Sequence, residues 1–219
     1  MTKRSVLLLC RHGETAANAE GRVQGCGLDP PLNAKGQQQA RALGEVLQEV
    51  RIDAAFASVL QRARETAQAI LDARTECPAA ESGLEVVEDL KEMNYGSLEG
   101  KLLRDIADEI KRVSMAWEEG DREAACPGGG ESPNEVFERA HRSLQEICKK
   151  QEPGSRLLFV THSRLNKVLL SGLDEDSVGM QNIPQYNCCV NVLTFDHDSD
   201  RFEVRAVNLT EAEELKAHL

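Results

Sequence analysis

The sequence predicts an α/β fold of three layers, an α/β/α sandwich in which helices cover both faces of a mostly parallel central sheet. Short apolar runs alternate along the chain with longer segments of helical periodicity, which is the pattern of α/β domains. The 219 residues contain no internal repeat and no linker rich in proline, serine or glycine. We therefore expect one domain that spans residues 1–219.

Six apolar runs of strand length are predicted to form the sheet, and helices separate them. The predicted strands are residues 5–10, 52–57, 84–87, 156–161, 189–195 and 202–207. The predicted helices are residues 34–50, 60–73, 103–117 and 133–150, and a fifth from 163 to about 172. The fourth helix has the clearest start, because Ser132 can cap it, Pro133 suits its first position and Glu135 completes a capping box.

The composition argues against a nucleic-acid binder, because phosphate backbones are held by a broad excess of positive charge. The chain has 37 acidic and 26 basic residues, a formal net charge of −11 and only 4% aromatic residues. A few local arginines would therefore have to bind any anionic substrate.

Apolar run length and cysteine spacing predict the location of the protein. The longest apolar runs have about five residues, whereas a membrane-spanning helix needs about 20, so no membrane association is expected. The apolar part of the N-terminus is likewise too short for a signal peptide. Seven cysteines without a Cys-x-x-Cys spacing favour free thiols in a reducing compartment and give no support for a metal site. We expect a cytoplasmic protein.

The first candidate functional residues follow the first predicted strand. Arg11 and His12 emerge at its carboxyl end, where ligands bind in open α/β sheets. A guanidinium offers a planar set of donors that matches phosphate oxygens, and a neutral imidazole nitrogen can attack phosphorus. Gly13 permits a close backbone approach or a positive φ. Alone, this pair is a weak signal, since a single histidine is more often structural.

A similar arrangement recurs at two further predicted strands. His162 follows the fourth strand and precedes Ser163 and Arg164. Ser58 follows the second strand, and Arg62 falls in the first turn of the next helix, whose positive N-terminal end also favours an anion. These residues are expected to concentrate positive charge at one edge of the sheet.

Several motifs resemble those of one family. Residues 9–15, Leu-Cys-Arg-His-Gly-Glu-Thr, together with Asn18, resemble the defining motif of the histidine phosphatase superfamily, which contains the cofactor-dependent phosphoglycerate mutases. Motifs similar to the family's others follow in family order at residues 25–36, 57–67, 91–100, 127–132 and 159–162. The resemblance covers most of the chain and implies a phosphoglycerate mutase-like fold.

The resemblance also implies a role for each matching residue. His12 would be the nucleophile that takes the phosphoryl group, and His162 a second catalytic residue. Arg11, Arg62 and the side-chain donor of Asn18 would complete the phosphate pocket. Two arginines and a second histidine offset the phosphate charge of about −1.5 to −2, so neither a metal nor a cofactor is expected.

The motif at residues 91–100 supplies the expected acid and base. Glu92 would donate a proton to the leaving oxygen and then accept one from the attacking water. The family usually has glycine where this chain has Ser163, whose amide and hydroxyl can still bind phosphate. Arg164 and Asn166 are then candidates for substrate contact, with a surface salt bridge as the alternative for Arg164.

Substrate specificity is expected to come from three segments that lie over the phosphate. They are the loop 22–31, with Arg22, Gln24 and Gly25 as substrate-binding candidates, the segment after Gly100, and the glycine run 128–130.

The predicted function is a metal-independent phosphomonoesterase that acts through a phosphohistidine on a small phosphorylated metabolite. A cofactor-dependent phosphoglycerate mutase is the alternative, but that branch has arginine directly after the catalytic glutamate, where this chain has Met93. A non-catalytic phosphate- or partner-binding protein is less favoured, because every residue required for catalysis is present. The sequence leaves open whether the chain is a monomer or a dimer.

Overall fold

The structure is a computed structural model that describes residues 3–74, 83–174 and 179–218. Its strands are β1 (Arg4–Arg11), β2 (Ala54–Ser58), β3 (Leu84–Val87), β4 (Arg156–Thr161), β5 (Val190–Asp196) and β6 (Arg201–Leu209). The bounds of β3 and β4 match the prediction, and those of the other strands differ by one or two residues at each end.

All six strands belong to one sheet with the order β3-β2-β4-β1-β5-β6. The first four of these run parallel, whereas β5 and β6 are antiparallel to their neighbours, so the sheet is mostly parallel as predicted. Arg11 pairs with Thr161 across β1 and β4. His12 and His162, the next residues, therefore leave the sheet side by side, and Ser58 ends the neighbouring strand β2 at the same edge.

Helices cover both faces of the sheet. They are α1 (Ala16–Glu20), α2 (Ala34–Val46), α3 (Gln61–Asp72), α4 (Ala107–Glu118), α5 (Pro133–Lys150), α6 (Ser163–Leu173) and α7 (Ala212–Lys216). The helices α2, α3 and α7 pack on the face to which Leu8 and Cys10 point, and α4, α5 and α6 pack with Leu7 and Leu9 on the other face. This arrangement confirms the three-layer α/β/α fold.

Two predicted helices differ from the structure. The first is shorter than predicted and ends at Val46. Beyond it the chain turns, and the Arg74 guanidinium donates to the carbonyl oxygens of Leu47 and Val50, so a side chain that follows α3 holds this turn in place. The third divides into a short 3₁₀ turn at Leu103–Asp105 and the helix α4.

The helix start predicted at Ser132 is confirmed. Its hydroxyl accepts from the Glu135 amide at 3.3 Å, and the Glu135 carboxylate accepts from the Ser132 amide at 2.8 Å, with Pro133 at the first helical position. The start of α5 is therefore fixed by local contacts that the sequence already contains.

In the described residues, no helix is both long enough and apolar enough to cross a membrane. The six cysteines in the same ranges are free, and Cys77 lies outside them. That residues 1–219 form a single domain stays a prediction.

Candidate active site

The carboxyl edge of the sheet brings the four central candidates together. The rings of His12 and His162 have centroids 5.2 Å apart. Arg62, in the first turn of α3, is fully buried. Arg11, His12 and Arg62 line one cavity of about 240 Å³, whereas His162 is fully buried next to His12 and is not part of the cavity wall.

The backbone around His12 selects the nitrogen that faces a ligand. Its Nδ1 lies 2.7 Å from the carbonyl oxygen of Gly13. Because a carbonyl oxygen only accepts, Nδ1 carries the hydrogen and Nε2 keeps a free lone pair. Position 13 also requires glycine, because the backbone there packs against Gly36. A Cβ at Gly13 would lie 2.5 Å from the carbonyl oxygen of Gly36. His12 is therefore held in the tautomer that a nucleophile requires.

The second histidine is oriented by the neighbouring strand. His162 Nε2 lies 2.7 Å from the hydroxyl oxygen of Ser58, which also accepts from the Leu60 amide at 3.3 Å. The Ser58 hydroxyl hydrogen can then be donated to Nε2, which leaves the hydrogen of His162 on Nδ1. In this tautomer His162 can donate to an anion.

Both arginines are anchored through backbone carbonyl oxygens. Arg11 Nη1 donates to Gln185 at 2.5 Å. Arg62 donates through Nη1 to Leu28 at 2.9 Å and through Nη2 to Gly25 at 2.8 Å. These bonds fix the guanidinium groups in place and tie the 25–28 loop to α3.

Three buried polar atoms around His12 have no hydrogen-bond partner. They are Arg11 Nε, Arg62 Nε and His162 Nδ1. Residues 3–74, 83–174 and 179–218 contain five buried side-chain nitrogen or oxygen atoms without a partner, and these are three of them. A buried group left unpaired costs about 1–3 kcal/mol, so native proteins rarely collect several in one place without a ligand. Two of these atoms belong to arginines that line the cavity with His12, and the third belongs to the histidine beside it, so the group indicates an anion-binding site.

The electrostatics favour neutral histidines beside charged arginines. Burial, with the positive charges of Arg62 and Arg11, holds the pKa of His12 well below the usual histidine range. Burial and Arg62 lower the pKa of His162 in the same way. Burial also lowers the pKa of both arginines, but a guanidinium stays protonated in proteins. The site therefore combines a neutral nucleophile with two fixed positive charges.

The two other phosphate-binding candidates also line the cavity. Asn18 is part of a capping box of α1, in which its Oδ1 accepts from the Thr15 amide at 3.2 Å. Its Nδ2 has no partner in the described part of the chain and is free to donate. Ser163 begins α6 directly after His162.

The three substrate-binding candidates line the same cavity, but they differ in their burial and in the contacts that they already make. Arg22 pairs with Glu20 at 3.0 Å, so its charge is offset. Gln24 is buried. Gly25 adopts a φ of 56°, and its carbonyl group accepts from Arg62. Gly25 thus links the loop 22–31 to Arg62 of the phosphate site.

Glu92 is fixed at the N-terminus of α6. Its Oε1 accepts from the amides of Met93 at 3.0 Å and Leu165 at 2.9 Å, and its Oε2 from the amide of Arg164 at 3.2 Å. The carboxyl group is buried and lines the cavity with His12. These three backbone hydrogen bonds fix the orientation of the carboxyl group, and with it the direction in which the group can transfer a proton.

Sequence reasoning missed the residue that holds the Glu92 segment. Arg139 donates to the carbonyl oxygens of Asp89 at 2.7 Å, Lys91 at 2.8 Å and Glu92 at 3.2 Å. It also forms a bidentate ion pair with Glu131, with distances of 2.7 and 3.0 Å. The detectable signal was its position on α5, where Arg139 lies between the buried residues Val136 and Ala140.

A second missed residue, Glu99, holds the loop on the other side of the cavity. Its Oε1 accepts from the amides of Cys26 at 3.1 Å and Tyr95 at 3.0 Å, and its Oε2 from Gly27 at 2.9 Å. A Cβ at Gly25 would lie 1.8 Å from Glu99 Oε1. Nothing in the local sequence pattern indicates this role, because two of the three amides, those of Cys26 and Gly27, are distant in the chain.

Two expectations about substrate contacts are wrong. Asn166 does not line the cavity: it is fully buried and bonds to Thr161 at 2.5 Å and Gln185 at 3.0 Å, where it joins α6 to the sheet. The glycine run 128–130 does not line it either. Gly128 packs against Ser97, and Gly130 packs against Cys126 and Asn94, so side chains at these two positions would clash. Of the expected specificity segments, the one after Gly100 does contribute to the wall, through Leu103 and Ile110.

One electrostatic expectation also needs correction. The N-terminus of α3 is not free for a ligand, since the Gln61 amide donates to the Asp29 carboxylate at 2.6 Å.

Arg164 lines the cavity, as a candidate for substrate contact should, and donates from Nε to the hydroxyl of Tyr95 at 3.1 Å. The alternative, a surface salt bridge, is not formed with any described residue.

A larger groove of about 620 Å³ lies between α2 and α3, but it does not contain the candidate residues. Its lining has no histidine or cysteine, so the smaller cavity at the sheet edge is the candidate active site. In the described ranges, no group of three or more histidine, cysteine, aspartate or glutamate residues is arranged to hold a metal ion.

Comparison with known proteins identifies the family. Residues 7–210 match the model of the histidine phosphatase superfamily, branch 1. A metal-independent phosphoserine phosphatase of Arabidopsis thaliana is 36% identical over 191 residues, which cover 85% of this chain and 75% of that protein. Phosphoglycerate mutase-like protein 4 of the same plant is 33% identical over 203 residues, which cover 91% and 83%.

A solved structure agrees with these matches. A phosphoserine phosphatase mutant from Entamoeba histolytica, in complex with phosphoserine, superimposes with a TM-score of 0.79 at 25% identity and covers 95% of this chain and 98% of that one. The predictions of the fold and of an enzyme of this family are thereby confirmed. The chain belongs to the histidine phosphatase superfamily, branch 1.

Proposed function

We propose that this chain is a metal-independent phosphomonoesterase that hydrolyses a small phosphorylated metabolite through a phosphohistidine at His12. The observation that carries the proposal is the free Nε2 lone pair of a neutral His12, surrounded by unpaired buried donors of Arg11, Arg62 and His162. Several relatives named as phosphatases support the same reaction class.

In the first step, His12 Nε2 attacks phosphorus and a P–N bond forms as the ester P–O bond breaks. The leaving oxygen takes a proton from the carboxyl group of Glu92. Arg11, Arg62 and His162 Nδ1 donate to the phosphoryl oxygens, which carry the charge of the transition state. The two arginines supply the charge that a metal supplies in other phosphatases.

In the second step, the Glu92 carboxylate takes a proton from water as the water oxygen attacks phosphorus. The P–N bond breaks, inorganic phosphate leaves, and the lone pair returns to His12. The backbone amides that hold Glu92 keep it in one place through both of its roles.

The surroundings of Glu92 favour hydrolysis over the mutase reaction. Met93 is fully buried and does not line the cavity, so no cation follows the glutamate. The downstream basic residues Lys101, Arg104, Lys111 and Arg112 are exposed. The mutase branch has a cation directly after the glutamate, and neither Met93 nor these exposed residues places one there.

The test is hydrolysis of 4-nitrophenyl phosphate with a metal chelator present. We expect turnover by the native chain and a loss of about 10⁴-fold or more in kcat for His12→Ala, because the nucleophile is removed. His218→Ala is the matched control, since that histidine is exposed and remote from the cavity, and it should retain full activity.

Activity that survives His12→Ala, or that disappears with the chelator, would contradict the proposed mechanism. Addition of bisphosphoglycerate separates the two enzymatic alternatives. Strong activation of phosphoglycerate isomerisation would identify a mutase.

A further inference from the structure

Besides Arg11, Arg22 and Arg62, a fourth arginine lines the cavity, and its position is fixed. Arg164 donates from Nε to the Tyr95 hydroxyl at 3.1 Å and from Nη1 to Gln181 Oε1 at 2.9 Å. Its guanidinium carbon lies 5.2 Å from the ring centroid of Trp117. Two hydrogen bonds and an aromatic surface hold the planar group in one orientation, so little entropy is lost when it binds a ligand.

The guanidinium of Arg164 makes no direct contact with an acidic side chain of the described residues, although the nearby Glu92 carboxyl group accepts from the Arg164 backbone amide. It forms no ion pair with any residue in the described ranges, and its Nη2 has no hydrogen-bond partner there. Arg22, on the same cavity wall, is instead paired with Glu20 at 3.0 Å. Arg164 therefore offers the cavity a fixed cation with an unused donor.

The phosphate does not need Arg164. Arg11, Arg62 and His162 already supply unpaired buried donors around His12, and two guanidinium charges balance a phosphate dianion. In the first step of the proposed reaction Glu92, which also lines the cavity, carries a proton and no charge, so the charge of Arg164 is then balanced when the substrate carries a second negative group.

The size and walls of the cavity limit what that group can be. About 240 Å³ is below the usual range for ligand pockets, and Val23, Leu103 and Ile110 make part of the wall apolar. A single planar guanidinium suits a carboxylate, whereas a second phosphate dianion would need more charge.

We propose that Arg164 binds a carboxylate of the substrate, so that the enzyme prefers small phosphomonoesters of hydroxy or amino acids. This assignment rests on the proposed phosphatase function. Arg164 would determine specificity, while the residues around His12 carry out the phosphoryl transfer.

Matched substrate pairs test this assignment. Phosphoserine is compared with phosphoethanolamine, and 3-phosphoglycerate with glycerol 3-phosphate, because the second member of each pair lacks the carboxylate. We expect kcat/KM of the native chain to favour the acids by about 10- to 100-fold, the range of one charge-assisted hydrogen bond. In Arg164→Met the preference should fall towards one, and Arg164→Lys should restore part of it.

The control is Arg112→Met on α4, which removes an exposed positive charge that does not line the cavity. It should keep most of the preference. Each ratio is measured within one variant, so a reduced folded fraction cancels.

An equal rate on both members of each pair in the native chain overturns the proposal, as does a preference that Arg164→Met leaves intact. In either case, continued hydrolysis of 4-nitrophenyl phosphate that depends on His12 would show that the phosphatase function still stands. Loss of all phosphatase activity in the native chain would contradict the proposed function itself and this assignment with it.

Discussion

The two ends of the cavity are built in different ways. At the phosphate end, Arg11, His12 and His162 stand at or directly after strand ends, and Arg62 lies in the first turn of a helix. At the substrate end, Glu92 lies between short 3₁₀ turns, and its loop is held by side chains from distant parts of the chain. Regular secondary structure therefore fixes the phosphate site, while the substrate end can change without disturbing the sheet.

The phosphate end should show the largest effects, independent of the leaving group. We expect Arg62→Met to lower kcat/KM by about 10²- to 10³-fold for both aryl and alkyl phosphates, because a preorganised charge on the phosphoryl oxygens is lost. Arg64→Met is the matched control, as its side chain is exposed on the same helix. If Arg62→Met lowered kcat/KM for only one of the two classes of ester, the proposed distinction between the phosphate end and the substrate end would be contradicted.

The substrate end should show effects that depend on the leaving group. Glu92→Gln is expected to lower kcat by about 10²-fold or more with an alkyl phosphate, which needs a proton donor, and by much less with 4-nitrophenyl phosphate. Arg139→Lys should shift the alkyl-to-aryl ratio in the same direction by about 10-fold, because the Glu92 loop loses its bidentate anchor.

If the role of Arg139 were purely structural, Arg139→Lys would lower the hydrolysis rates of alkyl and aryl phosphates equally. Arg142→Lys is the control, since its contact with Asp89 is exposed and 3.5 Å long. In a Glu92→Gln background, Arg139→Lys should no longer change the ratio, and a further change would contradict its role as a positioning residue.

The smallest effect expected is a shift in the pH dependence of the phosphate end. Only neutral His12 has a lone pair on Nε2, and its pKa lies well below the usual value near 6.5. The ring should therefore stay neutral as the pH falls through the normal histidine range, and protonate only below it. Removal of a nearby positive charge in Arg62→Met should raise the pKa of His12 towards that range.

NMR titration of the His12 ring, assigned with His12→Ala, measures this directly. A midpoint of about 6.5 or above in the native chain would contradict the electrostatic description of the phosphate end.

The different construction of the two ends of the cavity explains which site residues could be predicted from the sequence. Positions at the ends of apolar runs are local information, so His12, His162 and Arg62 were found without a structure. The anchors of the substrate end, Arg139 and Glu99, bond to backbone groups of loops distant in the chain, and no spacing rule identifies those partners. Asn166 was misassigned because the sequence placed it near His162 but did not show that its side chain faces the sheet.

The central claim is that His12 takes the phosphoryl group, and trapping of the enzyme intermediate tests it most directly. Rapid acid-free quenching during turnover of 4-nitrophenyl phosphate, followed by mass spectrometry, should show one phosphoryl group on His12, stable in alkali and lost in acid. The intermediate should accumulate in Glu92→Gln, which lacks the base for the attacking water. Undiminished turnover with no phosphorylated chain, or a phosphoryl group on another residue, would contradict the account.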